Sequence, residues 1–290
     1  MKKIFNSFFS GREDEDLLHY RLRMGDLGKI HKAVVNGELD KLRKKINFRR
    51  WNVNEKDQMG RTPLHLACVL GSINTVQLLV ENKCLLNPRD QFKRTPLFKA
   101  VQCKYVVCSQ FLLEHGADPN LVDIHGFSVL HYAVHDNSPF LAELLINSSA
   151  NIEAKDKSGR TPLILAAKGN KPAMVELLLK NKANVNAVDN DESFIGNEGD
   201  NENMETCTVT VLKMRSALMF AVHHDSPDMV QLLLDHGGDV SCTDCFGQSV
   251  STHARLYGFP RAQRLVYAYR KERNKNISQT KDSGYALLFL

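Results

Sequence analysis

Along most of the chain the apolar positions form two kinds of cluster that alternate at a fixed pitch. The first is short and compact, as in Thr62-Pro63-Leu64-His65-Leu66-Ala67. The second is richer in leucine, as in Leu78-Leu79. The compact cluster returns as Thr95-Pro96-Leu97 with Ala100, Ser128-Val129-Leu130-His131 with Ala133, and Thr161-Pro162-Leu163 with Ala166. Asp57, Asp90, Asp123, Asp156 and Asp189 open successive segments at a spacing of 33 residues. The leucine-rich clusters keep the same phase, at Phe111-Leu112-Leu113, Leu144-Leu145, Leu177-Leu178-Leu179, Leu232-Leu233-Leu234 and Leu265-Val266. In the segment from Asp189 the compact cluster, Ser216-Ala217-Leu218 with Ala221, arrives 22 residues late, and Asp244 opens a last segment.

Each segment predicts two short helices. Thr62, Thr95 and Thr161 can cap the first, and the proline after each occupies a first-turn position where a missing N–H costs nothing. Small Ala67, Ala100, Ala133, Ala166, Ala221 and Ala254 let helices approach closely. A turn is expected at Gly71, Lys104, Asn137, Asn170, Asp225 and Gly258. Glycine and asparagine suit a left-handed cap there, whereas Lys104 suits it poorly. One such segment cannot bury its apolar surface alone, so neighbours must stack.

The recurring Asp-x-x-Gly-x-Thr-Pro-Leu-His-x-Ala, the Leu-Leu cluster and endings such as His115-Gly-Ala-Asp-Pro-Asn120 resemble ankyrin repeats. Residues 57–189 carry the pattern strongly, while 27–56 and 244–273 carry it weakly, as end repeats would. Wording such as Arg61-Thr-Pro-Leu-His-Leu-Ala-Cys68 and Leu113-Glu-His-Gly-Ala-Asp-Pro-Asn-Leu121 further resembles the POTE-type ankyrin proteins. That likeness implies an association with reproductive tissue, the testis among it. Many such proteins continue into a coiled coil, but no heptad pattern follows residue 270, so coiled-coil self-association is not carried over and a monomer is expected.

The expected architecture is an all-α solenoid of helix-turn-helix repeats with projecting β-hairpin loops, spanning 27–273. Repeats start near 27, 57, 90, 123, 156, 189 and 244. Residues 1–26 and 274–290 are expected to be disordered. The insertion at about 190–212 has a composition that cannot bury a core and reads as a disordered loop. Seven acidic residues lie from Asp189 to Glu205, six basic ones from Asp40 to Arg50, and six from Arg261 to Lys275. The net charge of +5 is therefore a matter of local patches. No apolar run reaches the length of a membrane span. Seven irregularly spaced cysteines predict reduced thiols in an intracellular protein, cytoplasmic or nuclear.

Phosphate-binding glycine loops, Gly-x-Ser-x-Gly and His-Glu-x-x-His are absent, and Cys242-Thr-Asp-Cys245 has no second pair to complete a zinc site. His65 and His131 are placed to bond across hairpins. The repeated aspartates read as hairpin residues, because an active site needs one converging set. No catalysis, metal, cofactor or small-molecule substrate is expected. The family resemblance implies protein binding on the concave face, through positions shortly after each aspartate and at the end of the first helix. By register these include Met59, Arg61, Phe92, Arg94, His125, Phe127, His135, Arg160 and Lys168, with Phe92 and Phe127 as aromatic anchors. The alternative is a nuclear or nucleic-acid-associated factor using the terminal basic segments. Basic residues without interleaved aromatics argue against it.

Overall fold

The computed structural model describes residues 25, 27–48, 51–190, 192–195, 209–212, 214–256 and 258–286. It divides into two compact units, Met1–Cys103 and Lys104–Leu290. The first holds α1 (Lys29–Val35), α2 (Leu39–Asn47), α3 (Pro63–Val69), α4 (Ile73–Glu81) and α5 (Pro96–Gln102). Here α1 packs on α2 and α3, and α3 on α4 and α5.

The second unit begins with α6 (Val106–Glu114). Four helix pairs follow: α7 (Val129–His135) with α8 (Pro139–Asn147), α9 (Pro162–Lys168) with α10 (Pro172–Lys180), α11 (Ala217–His223) with α12 (Pro227–Asp235), and α13 (Val250–Leu256) with α14 (Pro260–Ala286). First helices contact first helices in the order α7, α9, α11, α13, and second helices do the same from α8 to α14.

These helices exist because of their packing. A seven-residue helix makes two turns, too few to repay nucleation in water. All seven residues of α3 are buried, including His65, so the helix is shielded on every side. The longer α4 buries only Thr75, Val76, Leu78 and Leu79, the stripe expected of a helix with one outward face.

The six predicted turn residues all adopt left-handed backbone: Gly71, Lys104, Asn137, Asn170, Asp225 and Gly258 have φ between 46° and 70°. Lys104, at φ 60°, takes the strain expected for a side chain with a bulky stem.

Two expectations fail. The insertion is not without structure: β1 (Glu192–Ile195) pairs antiparallel with β2 (Val209–Leu212), in register from Glu192 opposite Leu212 to Ile195 opposite Val209. Together with a bridge between Val188 and Ser216, the ladder prolongs the hairpin of its repeat. Phe194, Ile195 and the Val209-Thr-Val-Leu212 run supply the β-branched and aromatic residues that favour this. Nor does order stop at 273, because α14 runs on to Ala286. The remainder of the expected tail and the segment 1–24 lie outside the described residues, as does the middle of the insertion.

Candidate protein-binding face

Every hairpin is organised by its aspartate. Asp57 Oδ1 accepts from the amides of Met59 and Arg61 (both 2.9 Å), and Gly60 N donates to the Asp57 carbonyl (2.9 Å). The same pair of Oδ1 bonds recurs at Asp90, Asp123, Asp156 and Asp244. Asp189 accepts across the insertion from Arg215 N at 2.7 Å. The second carboxylate oxygen takes whatever donor the repeat provides: Arg61 Nε (2.7 Å), Tyr132 Oη (2.8 Å), Arg160 Nε (2.7 Å), Arg215 Nη2 (3.2 Å) or His253 Nε2 (3.0 Å). The aspartates are thus structural, as their repetition indicated.

Neighbouring hairpins are joined in two ways. One is a backbone bond between tips, such as Gln91 N to Met59 O (3.0 Å), Lys157 N to His125 O (3.0 Å) and Asn190 N to Ser158 O (2.7 Å). The other is an imidazole. His65 Nδ1 accepts the Thr62 amide (3.0 Å), and its Nε2–H donates to the Arg94 carbonyl 29 residues on (3.0 Å). His131 does the same between Ser128 N (3.1 Å) and Arg160 O (3.1 Å). Both must therefore be neutral, and burial holds both pKa values below the ordinary range, that of His65 at about 3. His31 Nε2–H likewise reaches Arg61 O (2.9 Å), a bond sequence reasoning missed although His31 precedes a small residue, Ala33, by the spacing seen at His65 and Ala67.

This wiring removes some expected binding residues from the surface. Arg61 and Arg94 are 1% and 0% exposed, and so are corrected from partner contacts to hairpin residues. The reason is local, since a guanidinium four residues after the aspartate reaches back over its own hairpin, to Asp57 for Arg61 and over the Phe92 ring at 5.2 Å for Arg94. Arg160 is partly withdrawn by its pairing with Asp156. Phe127 is half-buried, edge-on to His131 (5.7 Å) and Tyr132 (6.0 Å) with Arg160 5.8 Å over its face, so much of its ring shields the hairpin. Met59 and Phe92, in the first unit, are also half-buried.

His125, His135 and Lys168 remain exposed, all in the second unit. His135 and Lys168 close α7 and α9, and His223 closes α11 and is also exposed. His224 donates to the Lys168 carbonyl (2.9 Å), which ties the ends of α9 and α11 together. No group of three or more His, Cys, Asp or Glu residues suited to hold a metal occurs among the described residues. Cys242 hydrogen-bonds Ser216 (3.5 Å), and burial raises its thiol. No helix of the described residues is long and apolar enough to cross a membrane.

The family profile for ankyrin repeats (three copies) matches residues 30–123 and 116–189, and the profile for a single ankyrin repeat matches 214–245. The chain belongs to the ankyrin-repeat family. The matches bracket the insertion, as expected if it interrupts one ankyrin repeat. Among curated proteins the chain is similar to human ankyrin repeat domain-containing protein 7, at 40% identity over 84 residues. That stretch is 29% of this chain and spans 33% of the relative. Among solved structures it is similar to the ankyrin repeat domain of Bcl-3, a unique member of the IkappaB protein family, with TM-score 0.66 and 28% identity over 81% of this chain and 98% of that one. The human ASB11 ankyrin repeat domain matches in fold with TM-score 0.63 at 24% identity, covering 83% of this chain and 98% of that one. The fold is therefore the ankyrin-repeat solenoid, with the two-stranded insertion added. Ankyrin repeats generally mediate protein–protein interaction and are typically non-enzymatic.

Proposed function

We propose that this chain is a non-enzymatic adaptor that holds another polypeptide on the face made by hairpin tips and first-helix ends, the concave face of an ankyrin stack. The observation that supports it is a division of labour within the repeat. The positions that wire the hairpins are the same from repeat to repeat, as the Asp Oδ1 bonds show. Positions two and twelve after the aspartate vary, reading Met59, Phe92, His125, Ser158 and Phe246, and Val69, Gln102, His135, Lys168 and Leu256, with only phenylalanine recurring. A constant frame with variable side chains is what recognition requires. Because the frame is preformed, little ordering entropy opposes binding.

The protein acts as a monomer inside the cell in this reading, and a POTE-type kinship would be compatible with it. The basic runs support no second reading: Lys41, Lys44 and Lys45 lie along α2, and Arg261, Arg264, Arg270, Lys271 and Arg273 along α14, on helices of different units. The test is affinity capture with the full chain beside the triple variant His125→Ala, His135→Ala, Lys168→Ala. These residues are exposed, so circular dichroism and the melting temperature should stay unchanged while captured proteins are lost. Equal capture by both chains would contradict the proposal.

A further inference from the structure

The outward sides of the second helices in the second unit reverse their charge at the last one. From α6 to α12 they carry the exposed carboxylates Glu114, Glu143, Glu176, Asp228 and Asp235. Lys180 is the one cation in these four helices, and it pairs with Glu176 at 2.7 Å. On α14 the exposed charges are Arg261, Arg264, Arg270, Lys271 and Arg273, with Glu272 the single carboxylate up to residue 273. Register makes the change explicit. Position twenty after the aspartate, leaving out the 22-residue delay, reads Gln77, Gln110, Glu143, Glu176, Gln231 and then Arg264. Asp239, within electrostatic reach of Arg273, already accepts from Ser241 N (2.9 Å) and Ser241 Oγ (2.6 Å).

The helix that carries these cations also differs in build. The second helices α4, α6, α8, α10 and α12 have nine residues each, whereas α14 has 27. Ala262 and Val266 are buried where α14 packs on α12 and α13. Arg264, Tyr267 and Lys271, spaced i, i+3 and i+7, lie together on the opposite side. Tyr267 is 69% exposed, although Leu179 and Leu234, its equivalents by register, are 5% and 1% exposed. A solenoid end needs a polar outer face, but that need does not ask for one sign of charge.

We propose that this side of α14 is a second docking surface, which takes an acidic segment of a partner polypeptide. It is a different surface from the face of hairpin tips and first-helix ends, and so goes beyond the adaptor reading. Guanidinium groups hold carboxylates through paired N–H donors and stay charged at any physiological pH. The tyrosine ring supplies apolar contact between the cations. The size of the patch selects a short segment. Because α12 packs directly beside α14 and exposes Asp228 and Asp235, a bilayer or a duplex, broader than one helix, would meet carboxylates at its edge.

The probe is a fluorescein-labelled octa-glutamate, followed by anisotropy with the full chain at low salt and about pH 7.5. It should bind, and an octa-lysine should not. Arg264→Glu with Lys271→Glu should weaken binding about tenfold or more without changing circular dichroism, because both side chains are exposed. Lys41→Glu with Lys44→Glu, an equal change of net charge on α2, should leave affinity within about twofold. The triple variant above should also stay within about twofold, since it alters the other face. Between about pH 6 and pH 8 affinity should stay level. Equal loss from the α2 and α14 variants would reduce the effect to net charge and overturn the proposal. So would affinity that rises as pH falls through this range, the mark of histidine. Tighter binding through α14 of an octathymidylate, or of vesicles of equal parts phosphatidylcholine and phosphatidylserine, would overturn it by assigning another ligand. If octa-glutamate fails to bind while the triple variant still loses captured proteins, this surface falls and the adaptor reading stands.

Discussion

The repeats from Asp123 and from Asp244 both contain a buried histidine in the first helix, and they use it differently. His131 stands fourth in Ser128-Val-Leu-His131 and reaches forward to Arg160 O, the hairpin of the following repeat. In Ser249-Val-Ser-Thr252 the fourth position is a threonine, whose hydroxyl lies 3.1 Å from that of Ser249. The histidine has moved one place on, to His253, and turns back to Asp244 of its own hairpin at 3.0 Å. No further hairpin follows that repeat among the described residues, only the long α14. Of these two buried imidazoles, one bonds the next hairpin and the other its own turn. The frame of this protein is made between repeats at least as much as within them.

The largest expected effect breaks the forward link. His131→Ala leaves the Ser128 amide and the Arg160 carbonyl without their partner and opens a cavity, for about 3 kcal/mol of lost stability in urea unfolding. His253→Ala removes the bond to Asp244 of its own hairpin and should cost less, about 1 kcal/mol. Equal losses would remove the distinction.

Protonation offers a second test. A proton on His65 Nδ1 destroys its acceptance of the Thr62 amide, and its folded pKa lies at about 3 against an ordinary 6.5. A depressed basic group binds fewer protons folded than unfolded. Its contribution is therefore complete above the unfolded value and is lost as pH falls from 6.5 toward about 3. The loss is about 1.4 kcal/mol per pH unit, or about 2 kcal/mol down to about pH 5. His131, shifted in the same direction by burial, adds to it. Urea unfolding of His65→Gln across this range should show a shallower pH slope than the parent chain.

Two glycines sharpen the comparison. Gly126 has φ 81°, and a Cβ there would meet Lys157 N of the next hairpin at 2.9 Å. Gly247 has φ 69° with nothing within 4 Å. Gly126→Ala should therefore cost about 2 kcal/mol, combining strain and collision, and Gly247→Ala about 1 kcal/mol from strain alone. In the first unit the equivalent of Gly60 is Lys93, held at φ 60°. Lys93→Gly should raise stability by up to about 1 kcal/mol, read as a higher denaturation midpoint.

Most of the frame was legible because it is periodic. The 33-residue phase, the left-handed turns, the structural aspartates and the forward bonds of His65 and His131 all follow from residues that recur in register. What escaped the reading depends on where one side chain turns. Arg61 and Arg94 occupy positions that a register argument assigns to a partner, yet each guanidinium folds back over its own hairpin. The His224 ring turns to the Lys168 carbonyl for a similar reason, since an unsatisfied helix-end acceptor lies within its reach. In the insertion the count of acidic residues outweighed the β-forming Phe194-Ile195 and Val209–Leu212 at its two ends. Of the candidate face, His125, His135 and Lys168 remain exposed.

Two positions five residues apart test the central claim most directly. His135 ends the first helix of its repeat, and Phe140, 63% exposed, lies at the start of the second. A photo-crosslinking amino acid placed at one or the other in the full chain, irradiated in a cell extract, should form adducts with another polypeptide from residue 135 and few from residue 140. Adducts mainly from residue 140, or equally from both, would contradict a binding face built from hairpin tips and first-helix ends.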